Sequence, residues 1–392
     1  MTTQQIQAIA RDWGTPTYVF DLGVLKRRVD YLKSRLPQRV QLCYAIKANT
    51  FITGALNEIM PRFEICSPGE YRVCQALDIP GRKMVISGVY KTPSFIRELA
   101  QQRSDIGVYT VESEEQLALL KCVARECSRT LPVLLRLTSG NQFGLDRAKL
   151  VEAIDQNDSA LLDIRGIQYF SGTQKSSLKK LKRELDKLEA LIDELEQEHG
   201  FVCRELEYGP GLPAFYFEGD SFDEDAHLAG LSELIDGLHI KCELTFELGR
   251  GIAASCGTYL TSVVDKKTNK GQNYAILDGG MNHLVYFGQS MAMRTPHMQI
   301  IPPRDNRDGE IWNLCGALCT ANDILVKQLP VSGLAVGDVF AFENTGAYCM
   351  IEGISLFLSR DLPQVLLLGE DGVPRQVRQG VPTYPLNTPE TH

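Results

Sequence analysis

Between about residue 24 and residue 256, apolar residues gather in short β-branched runs separated by amphipathic stretches. Eight such runs stand out: Val40–Ile46, Phe63–Cys66, Met84–Ser87, Ile106–Tyr109, Val133–Leu137, Ile164–Phe170, Glu205–Tyr208 and Leu244–Glu247. Runs of this length bounded by turn residues predict buried strands. Their alternation with helical stretches predicts a parallel sheet covered by helices. An open doubly wound sheet would satisfy the same alternation. Eight units favour closure into a (β/α)8 TIM barrel. The clearest helix is predicted from Ser176 to about Glu198. There Leu178, Leu181, Leu185, Leu188, Ile192 and Leu195 recur at spacings of three and four. A coiled coil would use such a stripe, but one buried stripe on an outer barrel helix accounts for it with less.

Beyond Gly257 the pattern changes. Strand-like runs follow without long helices: Thr258–Val264, Tyr274–Asp278, Ile324–Gln328, Val339–Glu343 and Val365–Leu368. These runs predict a second, all-β domain, and Pro16–Asp21 is a further short strand-like run near the start. The expected division is therefore a barrel over 24–256 and a β domain built from 1–23 and 257–392. Pro302–Asp308 carries the composition of an exposed loop.

A chain of 392 residues with 44% apolar and 23% charged residues has room for two cores. The net charge of −8 argues against nucleic acid or an anionic membrane surface as partner. Eleven dispersed cysteines, with no CxxC pair, suit a reducing cytoplasm. No apolar run reaches membrane-spanning length, and the polar start is not that of a signal peptide. The six histidines lack metal-ligand spacing, and no metal is expected.

Chemistry in such a barrel gathers where the strands end. Lys47 closes the first run, in Tyr44-Ala45-Ile46-Lys47-Ala48-Asn49. Partial desolvation there would make its amine a better nucleophile, although a surface lysine just past a strand is the plainer reading. Runs six to eight end in Phe170-Ser171-Gly172-Thr173, Gly209-Pro210-Gly211 and Glu247-Leu248-Gly249-Arg250-Gly251. Glycines after strands let backbone N–H groups approach an anion such as a phosphate, but tight βα turns need glycine anyway. Glu247, on an apolar strand, needs a partner. A structural ion pair or a ring N–H would both serve.

Taken together, these segments resemble the fold-type III pyridoxal-phosphate decarboxylases, the family of the diaminopimelate and ornithine decarboxylases, whose barrel is alanine racemase-like. The resemblance covers almost the whole chain. It includes Thr15-Pro16-Thr17-Tyr18-Val19-Phe20-Asp21, the Lys47 motif, Ser67-Pro68-Gly69-Glu70, Gln142-Phe143-Gly144-Leu145, Glu247-Leu248-Gly249-Arg250, Cys319-Thr320-Ala321-Asn322-Asp323 and Gly346-Ala347-Tyr348. It implies that pyridoxal 5′-phosphate is attached covalently to Lys47 and that Glu247 meets the pyridine nitrogen. It further implies that Thr173, Gly209, Gly211, Gly249, Arg250 and Tyr348 hold the cofactor. Cys319 would be the catalytic cysteine, with Thr320 and Asp323 against the substrate. A head-to-tail homodimer is implied as well, in which Cys319 and Asp323 complete the partner's site.

Two departures bear on the substrate. Phe170 stands where the family stacks a histidine on the ring, so the stacking group cannot titrate. Thr320 replaces the glutamate usual in diaminopimelate decarboxylases, and the stretch after Met281 lacks the expected Arg-Pro. The Cys-Thr pairing is similar to the branch acting on conjugated or carrier-bound amino acids in siderophore and antibiotic pathways. A specialised biosynthetic decarboxylase is therefore the first expectation, and diaminopimelate decarboxylase of lysine biosynthesis the second. An amino-acid racemase and a non-catalytic decarboxylase-like binding protein are the remaining alternatives. Against the racemase, Lys47 is followed by Ala48-Asn49-Thr50-Phe51. Retention of Lys47, Glu247, Cys319 and Tyr348 argues against the non-catalytic reading.

Overall fold

Capped helices and short apolar runs build a ring of strands. The structure, a computed structural model, describes residues 1–304 and 309–390. After an initial strand β1 (Thr17–Asp21), eight strands follow: β2 (Val40–Ala45), β3 (Arg62–Ile65), β4 (Met84–Ile86), β5 (Val108–Val111), β6 (Leu131–Leu137), β7 (Leu162–Phe170), β8 (Glu205–Gly209) and β9 (Glu243–Leu248). They pair in parallel with their neighbours, and β2 pairs β9 from Val40↔Leu244 to Tyr44↔Leu248, which closes the barrel. The (β/α)8 expectation holds.

The loops that lead into the outer helices end in side chains that cap them. Ser67, Thr92, Ser113, Asp146, Ser177 and Asp223 each accept a backbone N–H of the first helical turn. Pro68 and Pro93 add a preset φ where no N–H is needed. The long helix Leu178–His199 buries Leu181, Leu185, Leu188, Leu191, Ile192 and Leu195 and ends at Gly200 in the left-handed region. Its stripe is that of an outer barrel helix. The fourth strand starts two residues later than its apolar run. Gly107 is spent donating its N–H to Gly81 O at 3.0 Å, and Thr110 and Val111 are fully buried in its place.

The remaining strands are β10 (Gly257–Asn269), β11 (Gln272–Leu277), β12 (Met298–Ile301), β13 (Glu310–Cys315), β14 (Ile324–Val331), β15 (Val339–Glu343), β16 (Gln364–Leu368) and β17 (Pro374–Arg378). With β1 they form a nine-stranded sheet ordered β14-β13-β11-β10-β1-β16-β17, to which β15 joins through β10 and β12 through β15. The early run is thus a central strand, antiparallel to β10 and parallel to β16. The helix Thr3–Trp13 lays Ile6 and Ile9 on a core with Val19, Leu260, Ala341 and Leu366. The chain divides into two compact units: residues 1–28, 214–221 and 253–392 in one, and 29–213 with 222–252 in the other. Part of the loop expected at Pro302–Asp308, residues 305–308, lies outside the described residues. No helix among the described residues is long and apolar enough to cross a membrane.

Candidate active site

Strand pairing decides which side chains share the barrel's interior, because side chains alternate faces along a strand and paired residues share one. Ala45 pairs Glu64, Cys43 pairs both Arg62 and Glu247, Glu207 pairs Gln168 and Thr245, and Gly209 pairs Phe170. Cys43, Val85, Val108 and Leu134 form an apolar cluster inside this ring. Arg62 and Glu205 make an ion pair at its N-terminal end. The paired residues also bring the polar side chains of Glu64, Gln168, Glu207 and Glu247 into this interior.

Lys47 sits in a single 3-10 turn, Ile46–Ala48, just past β2. Its Nζ donates to Glu64 Oε2 at 2.6 Å and to Glu247 Oε1 at 3.3 Å. The lysine side chain is 39% exposed, whereas the two acids are 2% and 6% exposed. The amine therefore reaches the mouth while its partners stay dry. Burial alone would raise the Glu64 carboxyl, but the Lys47 ammonium overrides it and holds Glu64 low. Burial and the Glu64 charge push Glu247 up, so it keeps a proton more readily than an ordinary glutamate. Glu207 is fully buried, and burial first, then the Glu64 charge, push it up to about 7. Gln168 Nε2 donates to Glu207 Oε1 at 2.7 Å, while Glu207 Oε2 has no partner. Toward β5 and β6, Arg136 donates to Glu112 at 3.0 Å and lies 4.7 Å from the centre of the Phe143 ring. Burial lowers Lys91 to about 8.

Phe170 ends β7 half-buried, above the glycine it pairs with. A Cβ at Gly209 would come 2.2 Å from Phe170 Cδ2, so the ring's position depends on that glycine. Gly211, at φ +62°, fits against the next turn: a Cβ there would meet Gly172 O at 2.4 Å. Arg250 Nε donates to Thr173 Oγ1 at 3.4 Å. Gly249 links β9 to the short helix Arg250–Ala253. The turns after β7, β8 and β9 are thus joined. They offer closely spaced backbone, a hydroxyl and a buried guanidinium, which suits a phosphate. The amine, a proton-retaining carboxyl and a flat ring complete a donor set that fits pyridoxal phosphate.

The other expected residues lie on the sheet unit. Cys319 is exposed and Thr320 half-buried. Asp323, expected against substrate, is 2% exposed, and its oxygens accept the backbone N–H groups of Met281 and Leu318, each at 2.8 Å. So held, it braces two loops. Burial raises its carboxyl, and those two amides oppose the rise. Tyr348 is half-buried with φ 66°. One grouping of possible metal donors exists among the described residues, Glu194, Glu198 and His199. Glu194 pairs with Arg147, and His199 Nδ1 lies 2.8 Å from Asp155, so two of the three are engaged elsewhere.

Glu64, Glu207, Gln168 and Arg136 escaped sequence reasoning. For Glu64 and Glu207 the signal was present as polar residues at alternate positions of apolar strands: Arg62 and Glu64, Glu205 and Glu207.

Comparison with known proteins gives three kinds of match. A family profile described as "Pyridoxal-dependent decarboxylase, C-terminal sheet domain" matches residues 17–346. Diaminopimelate decarboxylase of Vibrio cholerae is 32% identical over 362 residues, 87% of this chain and 84% of that protein. The L-glutamyl–BtrI acyl-carrier-protein decarboxylase of Niallia circulans is 26% identical over 393 residues, covering 93% of this chain and 91% of that one. Among solved structures, diaminopimelate decarboxylase of M. jannaschii shares the fold, with a TM-score of 0.84 at 22% identity, over 95% of this chain and 91% of that one.

Proposed function

The chain belongs to the pyridoxal-dependent decarboxylases, and from that premise we propose that it removes one α-carboxylate of diaminopimelate. The enzyme is a carboxy-lyase, which sets aside the racemase and the non-catalytic alternatives. The observation that carries the substrate reading is the 32% identity to a diaminopimelate decarboxylase over 87% of the chain. This reverses the order expected from Thr320. A conjugated or carrier-presented amino acid stands as the second reading. It is supported by Thr320 itself and by the similarity to an acyl-carrier-protein decarboxylase over 93% of the chain.

When bound, pyridoxal phosphate supplies an electron sink for the pair left behind by departing CO2. Lys47 would hold it covalently, and Glu64 would keep the amine's proton close at hand. Glu247, which retains a proton readily, would face the ring nitrogen. Phe170 would pack on the ring without adding a titrating group. The turns at Thr173, Gly209, Gly211, Gly249 and Arg250, with Tyr348, would hold the phosphate. In a homodimer, Cys319 of one protomer would deliver a proton to Cα in its partner's site, with Thr320 beside the substrate. Eleven free thiols suit a reducing cytoplasm.

A CO2-release screen over diaminopimelate, ornithine, lysine and citryl or acyl conjugates of diamino acids tests the reading. Release from diaminopimelate is expected. Release from a conjugate alone would replace the first reading with the second.

A further inference from the structure

One residue outside the proposed chemistry fastens the turns after β7 and β8 to each other. Lys175 is 3% exposed. Its backbone N–H donates to Gly211 O at 2.8 Å. At its other end the ammonium donates to Gly209 O at 2.8 Å, to Ser171 Oγ at 3.1 Å and to Glu184 Oε2 at 2.8 Å. Glu184 comes from the helix Leu178–His199 and also accepts from Ser171 Oγ at 2.5 Å and Tyr208 OH at 2.7 Å. The ammonium lies 5.0 Å from the centre of the Tyr208 ring as well.

A buried ion pair is a weak device for stability, since apolar groups of similar volume commonly do as well. Its use is in fixing geometry. Lys175 spans the glycine turn, and a Cβ on Gly211 would meet Lys175 Cε at 2.8 Å as well as Gly172 O. Lysine satisfies three acceptors from three segments at once. An apolar side chain would leave Gly209 O and Glu184 short of a donor and free the two turns to relax.

We infer that Lys175, neutralised by Glu184, is a positioning residue that pre-forms these glycine turns as the seat of the cofactor's phosphate monoester. The inference rests on the proposed placement of the phosphate at these turns. It predicts a larger effect on the phosphate than on the ring, because the ammonium's hydrogen bonds go to Gly209 O, Ser171 and Glu184 and not to the side chains of Lys47, Glu247 or Phe170. Without Lys175 the turns must be ordered at the moment of binding, and that cost falls on affinity.

The test compares dissociation constants for pyridoxal phosphate and for pyridoxal, which lacks the phosphate, on the full chain stripped of cofactor. In Lys175→Met the preference for the phosphorylated form should fall about tenfold, the equivalent of one charge-assisted hydrogen bond. The constant for pyridoxal should stay within about twofold, because the side chains proposed to meet the ring accept no hydrogen bond from Lys175. Glu184→Gln, which keeps the side chain's shape, should shift the ratio in the same direction by less. If Lys175→Met does not fold, the ratio for Glu184→Gln decides. An unchanged ratio in a parent that prefers pyridoxal phosphate overturns the inference alone, as does equal weakening of both ligands. A parent with no preference for the phosphorylated form overturns the phosphate placement and the inference with it.

Discussion

Glu207 should make the protein less stable as pH rises through the mildly acidic range, and Glu207→Gln should remove that loss. The side chain is fully buried inside the barrel, with one oxygen accepting from Gln168 at 2.7 Å and the other without a partner. Burial and the Glu64 charge raise its carboxyl to about 7. In the unfolded chain it titrates near 4.3, the ordinary glutamate value. The folded state therefore binds the extra proton between those two values. Stability from this group is complete below the unfolded value and declines as pH rises toward the folded one. At about 1.4 kcal/mol per pH unit the loss amounts to roughly 3–4 kcal/mol. Glutamine keeps the shape and cannot ionise, and its new N–H group has the unpartnered Gln168 Oε1 as a nearby acceptor type. The assay is urea unfolding of both proteins, in the same cofactor state, at several pH values from about 4.5 to about 8. Titration of Glu64 and Glu247 contributes to both curves and largely cancels in the difference. The variant should gain on the parent steadily as pH rises, by about 2–3 kcal/mol in all. Parallel curves, or a variant that loses ground as pH rises, would refute the reasoning and mean that Glu207 is ionised and paired in the folded barrel.

Three further outcomes are expected. Gly209→Ala should displace the Phe170 ring, since the new Cβ would sit 2.2 Å from it; an overpacking cost of about 1–3 kcal/mol should appear as weaker retention of pyridoxal phosphate on dialysis. Asp323→Asn should lower the melting temperature by an amount equivalent to about 1–3 kcal/mol, because an amide NH2 then faces a backbone N–H of Met281 or Leu318 in a buried site. An unchanged melting temperature would show that the brace is dispensable. Lys47→Ala and Cys319→Ala should each be nearly inactive alone and recover part of the activity when mixed, if protomers share sites; mixed dimers without recovery would reject the exchange of Cys319.

The local pattern carried much of the architecture. Eight apolar runs with capped helices between them require a layer of parallel strands, because each run is buried and each helix has one apolar stripe. Lys47 and the glycine turns were legible for a related reason: a charged or Cβ-less residue just past a buried strand marks the strand's open end. Some elements were illegible. β12 spans only four residues, and β13 and β17 carry exposed side chains, so no continuous apolar run announces them. The segment 214–221 belongs to the sheet unit although it lies among barrel elements in sequence.

What the sequence by itself determined was that strands β2 to β9 would be buried and, apart from the shifted β5, roughly where they would end and which side chains would sit there. Only the tertiary structure decided which of those side chains meet. Glu64 and Glu247 are 183 residues apart in sequence, yet both contact Lys47, because β2 pairs β3 on one side and β9 on the other when the barrel closes. The same closure gives Glu207 no ion-pair partner among the described residues, and it gathers the turns after β7, β8 and β9 into one cradle. Burial of an apolar face is a local demand that each strand states for itself. Register and closure are non-local, and they alone set the distances on which charge, proton affinity and chemistry depend.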